Sequence, residues 1–144
     1  MSLTGMKDRI IVDISALISY FIDSEQNHQK ISQYIQENPN LEWIIISTVF
    51  SELMTWLRFK IHPKYALPIG SFLREKCNYH LITWLEDEDT RNIYHSFSDK
   101  KWSYTDCSLL AVSKSIHVPL ILTVDHHFNE MKNFGIISVP EDFL

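Results

Sequence analysis

The sequence is poor in cysteine and in long apolar stretches. Its two cysteines, Cys77 and Cys107, are too few for a disulfide framework and are typical of proteins from reducing compartments. No segment approaches the ~18 apolar residues of a membrane span, because apolar runs such as 43–46 have only the length of a strand. We therefore expect a cytoplasmic protein without a membrane segment.

Glycine is also scarce, and its placement excludes two classes of nucleotide-binding protein. The three glycines are Gly5, Gly70 and Gly135, and none lies in the turn after the first predicted strand. Dinucleotide-binding folds and P-loops need glycine in that turn, because the backbone must approach the phosphates closely. The sequence therefore excludes both classes.

Basic residues are fewer than acidic ones. Lys and Arg total 13 against 18 Asp and Glu, which gives a net charge of −5. This balance disfavours nucleic-acid binding by bulk positive charge, which depends on many basic contacts to phosphates. A nuclease that works through carboxylates and metal ions remains compatible with it. The basic candidates for contact with RNA are few, namely Arg58, Lys60, Lys100 and Lys101.

Short apolar runs alternate with amphipathic stretches along the chain. Strands are predicted at 9–13, 43–46, 80–84, 120–124 and 136–139, with helices between them. Strands separated by helices indicate a parallel sheet in a three-layer α/β/α sandwich. Residues 1–5 are interpreted as a flexible leader and residues 6–144 as a single domain.

Two predicted helix starts have recognisable capping patterns. Ser103 with Asp106 three residues later resembles a capping box, with aspartate in place of the usual glutamate. Ser47 or Thr48 is expected to cap the helix that follows the second strand.

Four carboxylates fall on one rim of the predicted sheet, namely the edge at which the strands have their carboxyl ends. Asp13 ends the first strand, Asp125 follows the fourth, Asp106 begins the helix before the fourth, and Glu52 lies early in the helix after the second. Ligands bind beyond the carboxyl ends of strands in open α/β sheets, where the strand order reverses. If the fourth strand lies beside the first, the acids converge there. Their mutual repulsion would favour a hard divalent cation such as Mg²⁺, which could activate water for attack on a phosphodiester.

Each acid taken alone has a simpler interpretation. Asp13 and Asp125 could be cap or turn residues, because aspartate is common at both places. Asp106 could interact with the helix dipole, and Glu52 could be a solvated helix residue. Only their shared rim favours a common site over these separate roles.

Four short motifs, in order, resemble those of PIN domains. They are Asp13-Ile14-Ser15-Ala16-Leu17, Ser51-Glu52-Leu53 within 48–53, the segment 102–111 around Asp106, and Leu122-Thr123-Val124-Asp125 followed by His126-His127-Phe128. The resemblance runs over nearly the whole chain. It implies a parallel sheet of order 3-2-1-4-5 and Mg²⁺- or Mn²⁺-dependent cleavage of RNA. It also implies that the catalytic and metal-binding residues are Asp13, Glu52, Asp106 and Asp125.

The resemblance has further implications for the site and the partners. Asp99 matches an extra acid before the third motif of some members, and Ser15 and Thr123 are supporting residues. Ser15 either orients a metal-bound water or caps its helix, and the cap is the simpler role. Many small members are toxins of VapBC-type toxin–antitoxin pairs that form homodimers. An antitoxin, a second copy and RNA are therefore the expected partners.

Three functions from different classes remain to be compared. They are an active endoribonuclease, a PIN-fold binding module for RNA or protein with little or no turnover, and a phosphate-accepting signalling domain. The last needs an acceptor aspartate after the third strand, where Trp84-Leu85 stands, and a lysine after the last strand, where Pro140-Glu141 stands. It is therefore the weakest of the three.

The histidines and tryptophans offer other site chemistries. His126 and His127 are expected to be structural or surface residues, because adjacent residues point apart and no second His or Cys pair accompanies them. The four tryptophans could stack on bases, but their places in or beside apolar stripes favour core or interface packing.

Overall fold

The computed structural model describes residues 8–140, so the expected leader, 1–5, lies outside the described residues. Within this range the strands are β1 (Arg9–Val12), β2 (Glu42–Ile46), β3 (Asn78–His80), β4 (Leu120–Leu122) and β5 (Ile137–Val139). They form one sheet of order β3-β2-β1-β4-β5, in which every neighbouring pair is parallel. Helices flank the sheet, which confirms the predicted α/β/α sandwich of order 3-2-1-4-5.

The connections between the described strands are helical. The helices are α1 (Ile14–Phe21), α2 (His28–Glu37), α3 (Ser47–Trp56), α4 (Pro63–Glu75), α5 (Trp84–Ser96) and α6 (Tyr104–Ile116). A π-helical segment, Leu57–Ile61, continues α3, and a 3₁₀ helix, His126–Phe134, follows β4. Gly135 ends the 3₁₀ helix at φ +90°, a left-handed conformation that suits glycine. None of the helices between residues 8 and 140 has the length and apolar character of a membrane span.

The central strands form the middle of the core. The side chains of β1 from Ile10 to Val12 and those of Ile44–Ile46 in β2 are almost completely buried. Continuous runs of β-branched residues are typical of parallel strands that are covered on both faces. The carboxyl end of β1 is therefore fixed at the centre of the sheet rim, directly before Asp13.

The third strand differs from its prediction. The sequence predicts a strand over 80–84, whereas β3 ends at His80 and α5 begins at Trp84. The Thr83 hydroxyl accepts a hydrogen bond from the Glu86 N–H, and the Glu86 carboxylate accepts one from the Thr83 N–H. This capping box stabilises a helix start where the apolar pattern alone indicates a strand.

The predicted caps of α1 and α3 are wrong. Asp13 is the N-cap of α1, and its carboxylate accepts a hydrogen bond from the Ser15 N–H, so the helix begins one residue before Ser15. Neither Ser47 nor Thr48 caps α3, which has no side-chain cap. The Ser47 hydroxyl instead accepts a hydrogen bond from the backbone N–H of Ile82. A tertiary contact thus occupies a hydroxyl that the local pattern assigns to a cap.

Candidate active site

Asp13 lies at the centre of the rim and is held at one oxygen. Its side chain is 1% exposed. Oδ2 accepts hydrogen bonds from the hydroxyls of Ser15, at 2.7 Å, and Thr123, at 3.0 Å. The Asp13 N–H donates to the Leu122 carbonyl at 3.0 Å, which extends the pairing of β1 with β4 to this residue. The ends of these two neighbouring strands therefore position the carboxylate together.

The two hydroxyls are themselves oriented by the backbone after β4. Ser15 Oγ accepts a hydrogen bond from the Val124 N–H at 3.0 Å, and Thr123 Oγ1 accepts one from the Asp125 N–H at 2.9 Å. Since each oxygen already accepts from an N–H, its own proton is available to Asp13. Ser15 therefore positions Asp13 and links β4 to α1, rather than capping the helix as predicted.

Asp106 is fixed by the capping box that the sequence predicts. Its Oδ2 accepts a hydrogen bond from the Ser103 N–H at 2.9 Å, and its own N–H donates to the Ser103 hydroxyl at 2.9 Å. Aspartate thus fills the place of the usual glutamate, and its carboxylate is buried at the start of α6. The box holds Asp106 at the same rim as Asp13.

Asp125 begins the 3₁₀ helix and brings His127 to the rim. Asp125 Oδ1 accepts a hydrogen bond from the His127 N–H at 2.9 Å. His127 Nδ1 lies 3.4 Å from Asp106 Oδ2 and 3.5 Å from Asp125 Oδ1. One potential ligand atom from each of Asp106, Asp125 and His127 lies within 4.8 Å of the other two.

His127 lies at the rim although the sequence does not predict it there. The sequence predicts structural or surface roles for both neighbouring histidines, yet His127 faces the acids while His126 is exposed. The available signal was the Asp-x-His spacing, because an aspartate at a helix start accepts the N–H two residues later. That hydrogen bond brings the side chain of His127 to the rim of Asp125.

The three rim carboxylates are each bound by the protein through one oxygen. The hydrogen bonds end on Oδ2 of Asp13, Oδ2 of Asp106 and Oδ1 of Asp125. Between residues 8 and 140, no protein group donates to the second oxygen of any of the three. One oxygen fixes each side chain, and the other can take a ligand.

Burial and mutual repulsion perturb these acids. The pKa of Asp13 is raised from 3.8 to about 6, chiefly by burial. The negative charges of Asp106 and Asp125 contribute to this rise, and the hydrogen bonds from the Ser15 and Thr123 hydroxyls oppose it. Burial also raises the pKa of Asp106, and the charge of Asp125 adds to this shift. Buried carboxylates that repel one another are stabilised by a bound cation.

Glu52 lies beside this cluster, on an open groove. The groove has a volume of about 670 Å³ and is lined by Ser47, Thr48, Ser51, Glu52, Thr55, Trp56, Phe59, Lys60 and Thr105. Glu52 is exposed, and among the described residues no hydrogen bond or ion pair joins it to the three rim acids. Its connection to them is through Thr105, which lines the groove and directly precedes Asp106.

Asp99 lies away from these contacts. Its side chain is 74% exposed, and its Oδ2 lies 3.9 Å from Lys100 Nζ. In the described range it has no recorded contact with the rim acids. The structure therefore brings together Asp13, Asp106 and Asp125, with Glu52 on the adjoining groove.

Comparison with known structures gives the same fold. The toxin VapC20 of Mycobacterium tuberculosis, described as sarcin–ricin loop cleaving, aligns with a TM-score of 0.78 and 15% identity, over 84% of this chain and 93% of its own. A toxin–antitoxin complex from Klebsiella pneumoniae aligns with a TM-score of 0.65 and 16% identity, over 89% and 95%. FitAcB from Neisseria gonorrhoeae aligns with a TM-score of 0.62 and 10% identity, over 90% and 95%. At these identities the likeness is one of fold.

Sequence comparison identifies the family. No curated protein sequence matches the chain. The family model of the PIN domain matches residues 10–133, which span the four motifs, all of β2, β3 and β4, and β1 except for its first residue. Because this match covers most of the sequence, the chain belongs to the PIN-domain family.

Proposed function

We propose that this protein is a metal-dependent endoribonuclease that hydrolyses phosphodiester bonds in RNA and acts as the toxin of a type II toxin–antitoxin pair. The observation that carries the proposal is the convergence of Asp13, Asp106 and Asp125 at one rim. In the described part of the chain, each of these carboxylates has one oxygen fixed by the protein and one without a protein donor. Without a cation, this arrangement destabilises the folded protein at neutral pH, because the charged form of Asp13 is buried and repelled by its neighbours. The same burial and repulsion raise the pKa of Asp13 to about 6.

The donor set fits a divalent cation. Carboxylate oxygens at one rim suit Mg²⁺ or Mn²⁺. The buried Nδ1 of His127, which has no hydrogen-bond partner in the described part of the chain, faces the same place. We assign metal binding to Asp13, Asp106 and Asp125, with Glu52 on the adjoining groove as a further candidate. Asp99, whose side chain is 74% exposed, lies outside the proposed metal centre. A bound cation would neutralise the carboxylates and act as a Lewis acid toward water and phosphate.

The chain's own residues would act by holding the acids and the substrate. Ser15 and Thr123 keep Asp13 in one orientation, and Ser103 does the same for Asp106. In the proposed hydrolysis, a water oxygen attacks phosphorus and the P–O3′ bond breaks. The products would carry a 5′-phosphate and a 3′-hydroxyl.

The groove beside the acids supports a single-stranded or looped RNA substrate. Trp56 and the exposed ring of Phe59 offer stacking surfaces, and Lys60 offers a positive charge for phosphate. Stacking on aromatic side chains contributes affinity for unpaired bases without relying on many basic residues. This mode of binding agrees with the net charge of −5.

The proposed partners are a small antitoxin and a second copy of the chain, and the proposed location is the cytoplasm. The structures that share the fold include a toxin and a toxin–antitoxin complex, which supports a small antitoxin as a partner. Exposed apolar side chains at Leu81, Trp84 and Leu85 support a homodimer. The free cysteines Cys77 and Cys107 are compatible with a cytoplasmic location.

An RNA cleavage assay tests the function. Single-stranded and hairpin RNAs are incubated with the full chain in Mg²⁺, Mn²⁺ or EDTA, and the product ends are analysed. We expect cleavage only with the metal, and we expect Asp13→Asn, Asp106→Asn and Asp125→Asn each to lower the rate by about a hundredfold or more. Asp99→Asn is the matched control, because Asp99 is an exposed aspartate, and we expect a much smaller change.

Two results would refute this mechanism. They are undiminished cleavage in EDTA and products that end in a 2′,3′-cyclic phosphate. If the protein bound Mn²⁺ and RNA but cleaved nothing, the binding-module alternative would replace the enzyme.

A further inference from the structure

The side chain of His127 carries a buried nitrogen, Nδ1, that has no hydrogen-bond partner within residues 8–140. Nδ1 lies 3.4 Å from Asp106 Oδ2 and 3.5 Å from Asp125 Oδ1. Both separations exceed the 2.7–3.2 Å that is usual for N–H···O hydrogen bonds. The nitrogen therefore faces two carboxylates without forming a good hydrogen bond to either.

The backbone around His127 fixes this placement. The His127 N–H donates to Asp125 Oδ1 at 2.9 Å, and the next residue, Phe128, is completely buried. His126, one residue earlier, is exposed and lines a cavity of about 450 Å³ beside β5, which Thr123 and Asp125 also line. Its ring does not belong to the group of ligand atoms that Asp106, Asp125 and His127 form. The two neighbouring histidines thus differ in surroundings, and His126 provides a matched control for His127.

We propose that His127 Nδ1 is a ligand of the metal centre and that this nitrogen makes the centre prefer Mn²⁺ to Mg²⁺. The inference rests on the proposed function, since it concerns the same cation. The three candidate ligand atoms of Asp106, Asp125 and His127 lie within 4.8 Å of one another, which is a spacing at which they could share one ion. Mg²⁺ favours oxygen ligands, whereas imidazole suits first-row transition metals.

A structural role for His127 makes a different prediction. If protonated His127 only neutralised Asp106 and Asp125, it would compete with the cation for the same carboxylates. Removing it would then strengthen the binding of Mg²⁺ and Mn²⁺ alike. A nitrogen ligand instead predicts that its removal weakens Mn²⁺ binding selectively.

The experiment compares His127→Ala with His126→Ala in the full chain, after removal of metal with EDTA. Dissociation constants for Mn²⁺ and Mg²⁺ are measured by calorimetry, and ¹⁴N coupling to bound Mn²⁺ is measured by electron spin echo envelope modulation. We expect His127→Ala to abolish the directly coordinated ¹⁴N signal. We also expect it to weaken Mn²⁺ binding by about tenfold or more, the loss that removal of even an outer-sphere partner causes. Mg²⁺ binding should change much less, and His126→Ala should resemble the wild type.

A second measurement avoids dependence on the variant. Wild-type protein labelled with ¹⁵N at histidine should lose the ¹⁴N signal without any change in structure, and so should labelled His126→Ala. Persistence of the ¹⁴N signal in labelled protein, or an unchanged Mn²⁺ to Mg²⁺ preference in His127→Ala, would overturn the proposal while leaving the proposed ribonuclease intact. Failure of the wild type to bind either metal would instead remove the metal-dependent function itself.

Discussion

At the scale of single residues, Asp13 shows how a structural role and a proposed chemical role meet in one side chain. As the N-cap of α1 it needs only an acceptor oxygen, which asparagine also offers. A buried carboxylate is a costly choice for that purpose, because its charge is desolvated and lies near two other acids. The negative charge at this position, for which a cap alone gives no reason, therefore agrees with the proposed binding of a cation.

The pKa of Asp13 predicts how the stability of the metal-free protein depends on pH. The pKa rises from 3.8 to about 6 on folding, so the native state holds the proton more tightly. The stability that Asp13 contributes is then complete below about pH 4 and is lost as the pH rises through 6. At pH 7 the free energy of unfolding should therefore be lower than below pH 4 by up to about 3 kcal/mol from this group alone.

Asp13→Asn tests this linkage. In EDTA at pH 7 the variant should be more stable than the wild type, and the difference should shrink at pH 5. Added Mn²⁺ should stabilise the wild type much more than the variant. Denaturant melts at both pH values, with Asp99→Asn as the control, measure each effect. Equal pH dependence in the wild type and Asp13→Asn would show that Asp13 is not the perturbed group.

At the scale of elements, two capping boxes start consecutive helices in different surroundings. Ser103 and Asp106 start α6 at the rim, and Thr83 and Glu86 start α5, where the Glu86 carboxylate also contacts His80 Nε2 at 2.8 Å. Although burial alone would raise the pKa of Glu86, hydrogen bonds from the Thr83 N–H and from His80 lower it. The Glu86 carboxylate therefore has protein partners at both oxygens, whereas one oxygen of Asp106 has no donor among the described residues.

The two boxes give a matched pair of substitutions. Ser103→Ala and Thr83→Ala should each lower stability by about 1 kcal/mol, the usual cost of losing an N-cap hydroxyl. Only Ser103→Ala should also weaken Mn²⁺ binding, because it loosens the turn that carries Asp106. Urea denaturation and Mn²⁺ calorimetry on both variants separate the effects. Equal Mn²⁺ affinities in the two variants would mean that the α6 box has no part in positioning the metal ligand.

The π-helical segment that continues α3 presents Phe59 to the groove. Its ring is 78% exposed, so Phe59→Ala should leave stability nearly unchanged. If an RNA base stacks there, the variant should bind RNA more weakly by about 1–3 kcal/mol and raise KM with little change in kcat. Leu67→Ala in α4 is the control, because Leu67 is similarly exposed but does not line the groove. Equal KM values for the two variants would exclude Phe59 as a stacking platform.

At the scale of the whole molecule, the start of α5 exposes apolar side chains that a monomer has no need to display. Leu81, Trp84 and Leu85 are all largely exposed, with Leu85 at 77%. We predict that this surface is buried in a homodimer and that Leu85→Asp shifts the protein to monomer. Sedimentation velocity at several concentrations measures the change, with Phe59→Ala as the control. A wild type that is monomeric at all concentrations would rule the dimer out.

The sheet order explains why distant residues of the sequence meet at the rim. Because β1 and β4 are neighbours, with Ile11 paired to Ile121 and Val12 to Leu122, Asp13 and Thr123 lie side by side. The segment after β4 then carries Asp125 and His127 to the same place. The strand order therefore brings Asp13 and Asp125 together, and the start of α6 adds Asp106.

The parallel α/β architecture, the approximate strands and the capping box at Asp106 could all be predicted from the order of the amino acids. Periodicity and local capping chemistry depend on neighbouring residues, so they can be read directly from the order of amino acids. The order 3-2-1-4-5 came from resemblance to a family, because periodicity alone does not fix which strands pair. The Asp13 cap was missed because aspartate and serine are both good N-caps and stand two residues apart.

The partner of each polar side chain at the site depends on long-range packing and could not be predicted from the sequence. The Ser15 hydroxyl joins the ends of β1 and β4, the Ser47 hydroxyl binds the Ile82 N–H, and His127 turns toward Asp106. These contacts link residues that are far apart in the chain, and a hydroxyl or an imidazole pairs equally well with many partners. Which partner it finds depends on the packing of strands and helices, and local sequence does not contain that information.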